Sequence, residues 1–190
     1  ITSSGAGGLD TGSEANVWYY IWIIRKSSDG TLNALLSASA TSPTLPAGYD
    51  QKALVSAVKN TSGDFVDFVQ NGKKYSYTTW PAMVSGGVGI SAWTAVDTTN
   101  FVPSGLSSFA FGTFVRNDNR LFITNRDTVA IGGSDGITTV TPNWFGQSGA
   151  SGNVYPMPWA LDIITANTLY WAANAANSVV YVHGFDINKL

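Results

Sequence analysis

Asp10-Thr11-Gly12-Ser13 is the first stretch whose residue types suggest chemistry. It matches the aspartic-protease loop, in which two carboxylates share one proton and each comes from such a loop. No second Asp-Thr-Gly or Asp-Ser-Gly occurs, so only a homodimer would complete the pair. The plainer expectation is a turn in which Asp10 or Ser13 caps backbone amides. A serine hydrolase needs a nucleophile elbow, a histidine and an acid. Gly146-Gln147-Ser148-Gly149 is not that elbow, because position 150 is alanine. The single histidine, His183, lies in the run VVYVHGFDI, where alternation reads it as a packed strand residue rather than a general base.

Two carboxylates facing across a cleft would make a glycosidase. Asp97, Asp127, Asp162 and Asp186 are the candidates, but several sit in or beside turns, where aspartate caps backbone groups. Asn117-Asp118-Asn119 and Asn125–Asp127 offer oxygens to calcium without forming an EF-hand loop, and a tight turn is expected there. Asn60-Thr61-Ser62 is a glycosylation sequon, meaningful only on a secretory route. With no cysteine and one histidine, disulfides, thiolate metal sites and two-histidine sites are excluded. No metal or cofactor is expected, and no Walker or dinucleotide motif appears.

What is left is surface recognition. Neutral sugars are held by aromatic faces against C–H edges, with a few placed polar groups on the hydroxyls. The segment Asn143–Pro158, NWFGQSGASGNVYPMP, reads as a long glycine-rich loop of the kind that often carries function. Trp144, Tyr155 and Trp159, with Asn143, Gln147 and Asn153, are the expected ligand-binding residues, with Trp80 and Trp93 as further platforms. Because large aromatics dominate cores, two or three of the seven tryptophans are expected to be exposed.

The elements that must position these groups read as strands. Charged residues are only 12% of 190, Glu14 is the sole glutamate, and aromatics reach 13% with twenty glycines. That composition disfavours helices and favours a β-protein. A net charge of −2 leaves no basic footprint for nucleic acid. No run of eighteen apolar residues spans a membrane. Strands are expected at Val17–Ile24, Thr31–Ala38, Lys52–Lys59, Phe65–Gln70, Lys73–Trp80, Val88–Val96, Phe109–Val115, Leu121–Asn125, Val129–Ile131, Ile137–Thr141, Trp159–Thr165, Thr168–Ala173 and Val179–Ile187. Arg116–Arg120 reads as a polar loop, Asn71-Gly72 as a type I′ hairpin turn, and Asn167–Asn177 is alanine-rich enough for a short helix. The sum is an all-β chain, an antiparallel β-sandwich or jelly roll of about a dozen short strands. The opening ITSSGAGG, residues 1–8, reads as a flexible linker from a longer protein, with one domain over 9–190. Val17–Ile24 is apolar throughout and needs cover on both faces, from a sheet or from a neighbouring subunit.

Gly8–Asn60 resembles a segment of tailed-bacteriophage and prophage tail proteins. The residues that carry the likeness are Gly8–Gly12, Trp18-Tyr19, Leu35–Ser37, Pro43–Tyr49 and Ala57-Val58, and the Val-x-Gly-Phe pattern of the closing strand is similar too. The likeness covers about the first third and the last strand, and Trp80–Pro158 has no counterpart in it. It implies the C-terminal receptor-binding domain of a tail fibre, at the distal end of the fibre on the virion. Such a domain binds a bacterial cell-surface glycan or outer-membrane receptor, usually as a homotrimer, with no nucleic acid, membrane insertion or chemical step. It carries over no binding residue. A polysaccharide depolymerase or esterase, and a structural trimerisation domain, are the alternatives.

Overall fold

A computed structural model describes residues 4–86, 89–124, 144–163, 167–173 and 178–187, and for 89–92, 107–108, 114–122 and 144–157 it describes the backbone only. The chain is all-β. The described residues form twelve strands in antiparallel sheets and no helix, as expected for a β-sandwich of about a dozen strands. Where the sequence shows no linker, the chain divides into two compact units, Ile1–Asp67 (with the last two residues) and Phe68–Asn188.

The first unit is a four-stranded sheet in the order β2-β1-β3-β4, with β1 Trp18–Arg25, β2 Leu32–Ser37, β3 Gln51–Thr61 and β4 Asp64–Phe65. A hairpin through Ser27–Gly30 joins β1 to β2, with Gly30 at φ 78°. Trp18, Tyr19 and Tyr20 are buried in succession, so both faces of β1 are covered at that end. Farther along, Ile23 and Arg25 are exposed, so the expected two-sided cover holds for the first half of the strand. Lysines from β3 supply part of that cover. Lys59 Nζ lies 6.0 Å from the Trp18 ring and Lys52 Nζ 5.4 Å from the Trp22 ring, their alkyl stems over apolar surface and their charges outward.

Residues 4–8, with the composition of a linker, are tied down. Gly7 N donates to Ala34 O, Leu36 N to Gly8 O and Asp10 N to Leu36 O at 2.8–2.9 Å, and Leu9 is buried. This short parallel ladder occupies β2 backbone groups that would otherwise be open to another chain. Asp10 fastens it, accepting from Thr11 N, Ser37 Oγ and Thr44 N. The protease-like motif is thus a capping residue, as the turn expectation had it. Asn60 of the sequon is buried, its side-chain amide hydrogen-bonded to Glu14 and Gly63 N, so the fold closes that acceptor to a glycan.

The second unit holds β5 Phe68–Asn71, β6 Lys74–Tyr77, β7 Ala82–Ser85, β8 Gly89–Asp97, β9 Ser107–Thr124, β10 Trp144–Asp162, β11 Thr168–Ala173 and β12 Val179–Ile187. Its sheet runs β5-β6-β12-β9-β11-β8, with β10 on β9 and β7 on β12. Phe68, Tyr75 and Phe185 form a three-ring stack at 4.4 and 4.3 Å that locks β5, β6 and β12 together. The hairpin at Asn71 is present but shifted. Asn71 pairs with Lys74 and Gly72 alone carries positive φ, so the turn is Gly72-Lys73 rather than a type I′ Asn71-Gly72.

Two expectations fail here. Arg116–Arg120 is not a loop but the middle of the 18-residue β9, and the described part of the expected Asn143–Pro158 loop, Trp144–Pro158, is most of the 19-residue β10. The two segments pair with each other, Trp144 opposite Thr124 and Asp162 opposite Phe109, and backbone ladders do not require apolar side chains. Pro156 and Pro158 are tolerated because β10 pairs only with β9 among the described residues, and an edge strand can lack ladder donors. The glycines gather at an irregularity, where residues 150–153 stand opposite Asp118 alone. The alanine-rich Asn167–Asn177 begins as β11, not a helix, with Asn167 in the left-handed conformation at φ 55°. Val129–Ile131, Ile137–Thr141 and Asn125–Asp127 lie outside the described residues.

Candidate functional site

The expected ligand-binding residues do not converge. Trp159 is 2% exposed and belongs to the core, its indole N–H donating to Tyr181 O at 3.2 Å. The reason is register: Trp159 faces Gly112 on β9, where the missing side chain leaves room for the ring. Trp144, Gln147, Asn153 and Tyr155 lie along β10, and Asn143 lies outside the described residues. Trp144 pairs with Thr124 and Trp159 with Gly112. At about 3.3 Å per residue, that spreads them up to about 40 Å along the strand, too far for one sugar site. Trp18, Trp22 and Trp171 are buried and Trp93 is half-buried.

Trp80 is different. It is 55% exposed, and with Phe65 it is one of two substantially exposed aromatics among the described residues. It also has a partner. The His183 ring stacks on it with centroids 3.8 Å apart and planes 22° from parallel.

The second unit's sheet builds this pair from two irregularities. Along one edge of β12, β7 pairs with Val179–Tyr181 and β6 with Gly184–Asp186. The stretch between β6 and β7, Thr78–Pro81, passes the gap between those pairings, where Val182 N donates to Pro81 O at 3.1 Å. On the other edge, Val182 pairs with Gly112 and Gly184 with Phe111, so His183 is a bulged residue. A bulge re-aims the side chain it carries. Burial follows the shift, since Val180, Val182, Phe185 and Ile187 are buried while His183 is half-buried. Gly184 permits the close approach of β6, for a Cβ there would stand 2.0 Å from Tyr75 O. Trp80 precedes a proline, which confines its backbone to extended conformations and so restricts where its ring can go.

His183 lacks the surroundings of a general base. Its Nε2 is buried with no hydrogen-bond partner, and burial holds the imidazole below the usual histidine range. Among the described residues no cluster of three or more His, Cys, Asp or Glu side chains could hold a metal ion. Of the acidic candidates, Asp97 caps Thr99 N at 2.8 Å, Asp162 is exposed, and Asp127 lies outside the described residues.

A pH dependence follows from the sign of the His183 shift. Its folded pKa lies below the unfolded value near 6.5, so the unfolded chain takes up the proton first as pH falls. Stability is therefore full above about pH 6.5 and declines below it until the folded imidazole is also protonated. The melting temperature should be flat from pH 8 to 7 and fall between 6.5 and 5, before carboxylates near pH 4 contribute. In His183→Phe that slope should vanish, because no other histidine is present. A flat wild-type profile would refute it.

Sequence reasoning named Trp80 only as a secondary platform and left His183 as a strand residue. Trp-Pro and Val-His-Gly each hint at a backbone irregularity, but nothing in the sequence links them. Comparisons with family models, curated proteins and solved structures return no match.

Proposed function

We propose that this chain is an adhesion domain of a bacteriophage tail fibre that holds a bacterial cell-surface glycan and performs no chemical step. The observation that carries this reading is the exposed Trp80 ring backed by His183 on a sheet framework. An indole face turned to solvent and held from behind is a ready surface for the apolar face of a sugar. The tail-protein resemblance of Gly8–Asn60 and of the Val182–Phe185 pattern supports the phage setting. A homotrimer would present three such surfaces at one fibre tip, and shared attachment raises avidity through effective concentration.

Labelled protein incubated with host cells should sediment with them, and purified host surface polysaccharide should keep its chain length and acetylation after prolonged incubation. Shortened or deacetylated polysaccharide would replace adhesion with the depolymerase or esterase reading. Absence of cell binding by an assembled oligomer would leave a structural trimerisation role instead.

A further inference from the structure

Resting on the adhesion reading, we propose that Trp80 and His183 form a subsite for one uncharged pyranose ring, with the sugar on the outer indole face and His183 as the positioning residue behind it. Stacking by His183 occupies one indole face, yet more than half of Trp80 still meets solvent. The opposite face is thus the available one, and a single indole face matches a single sugar ring. A pyranose with three or more C–H bonds on one side offers the flat apolar surface that an aromatic platform takes. One exposed indole is too small to hold an acyl chain or a peptide motif, which need several adjacent pockets.

The ligand's charge follows from what surrounds the pair. Thr78–Ser85, Ser178–Phe185 and Phe109–Val115 line up on neighbouring strands, and none of them contains Asp, Glu, Lys or Arg. The nearest charged residues along β6 and β12, Lys74 and Asp186, pair with each other in register beyond Gly184. Lys74 Nζ is engaged over the Phe111 ring, 4.6 Å from its centroid, so among the described residues no cation is left at the indole face for a uronate or sialate, whereas a neutral ring requires none. Thr78 and Thr79, both exposed, immediately precede Trp80 in the chain. The indole is held in advance by the pre-proline backbone, the β12 bulge and the imidazole, which lowers the ordering cost of binding.

The test is a titration followed through tryptophan indole N–H resonances, with methyl β-galactopyranoside and methyl β-glucopyranoside as neutral probes and glucuronate as the charged one. A neutral probe should shift one indole resonance, the one that Trp80→Phe removes, with a Kd on the order of millimolar. Trp80→Ala should weaken binding of that probe at least tenfold with an unchanged melting temperature. His183→Ala should weaken it several-fold, and His183→Phe, which keeps a ring behind the indole, should restore it. The assignment is overturned if Trp80→Ala binds the neutral probes as the wild type does, if glucuronate binds more tightly, or if His183→Phe fails to restore what His183→Ala loses. Protein that coats cells without any Trp80-dependent sugar binding would remove the subsite and leave adhesion standing. Protein that binds the neutral probes at Trp80 but never sediments with cells would remove the adhesion reading and leave the subsite.

Discussion

Trp159→Ala is expected to cost about 3–5 kcal/mol of stability, the range for removing a fully buried large aromatic. For a chain of this length that corresponds to a fall in melting temperature of about 6–20 °C. The ring is 2% exposed, lies opposite Gly112, and donates its N–H to Tyr181 O. Truncation would open a cavity between β9, β10 and β12 and remove the hydrogen bond to the half-buried Tyr181 carbonyl. A ring that served as a sugar platform would behave the opposite way, with cell binding lost and the melting temperature kept. Thermal denaturation followed by near-ultraviolet circular dichroism separates the two, and a change under 2 °C would mean that Trp159 is not part of the core.

Gly112→Ala should be still more damaging and should leave little folded protein. The added Cβ would lie 1.9 Å from Tyr181 O and 2.8 Å from the Trp159 ring, both far inside contact distance. A flexible side-chain end can move away, but Tyr181 O belongs to the β12 backbone paired with β9, so the two strands would have to part. This distinguishes the two obstacles. If the Trp159 ring were the only one, Gly112→Ala combined with Trp159→Ala would fold better than Gly112→Ala alone. Because the carbonyl stays in place, the double variant should be no better. Soluble yield and the far-ultraviolet spectrum report the outcome, and recovery in the double variant would show that β12 yields to the methyl group.

Both substitutions act on the part of the fold that was hardest to read from the chain. β1, β2, β3, β11 and β12 stand close to where apolar, β-branched and aromatic runs predict them. Such runs identify a strand because they bury themselves whatever the partner. β9 and β10 carry no such signal in their middle portions. Arg116–Arg120 is wholly polar and Asn143–Pro158 is rich in glycine and proline, so each looks like a loop when read alone. They are strands because each supplies the other's ladder, a non-local condition that local composition does not contain. The scatter of the expected ligand-binding residues has the same origin, since a loop would gather Trp144, Tyr155 and Trp159 whereas a strand spreads them. The opening residues erred in the other direction, because small residues composed like a linker are fixed by the β2 edge they pair with.

From its residues alone the chain was bound to be an all-β protein without disulfides, thiol chemistry or a histidine relay, because those depend only on which side chains are present and how apolar ones alternate. Which tryptophan meets solvent was decided in three dimensions. Trp159 is covered because β9 offers a glycine opposite it, and Trp80 is left open because β6 and β7 divide beside a bulge that turns His183 against it. Burial depends on what lies across the sheet, and strand partners are chosen by the whole chain.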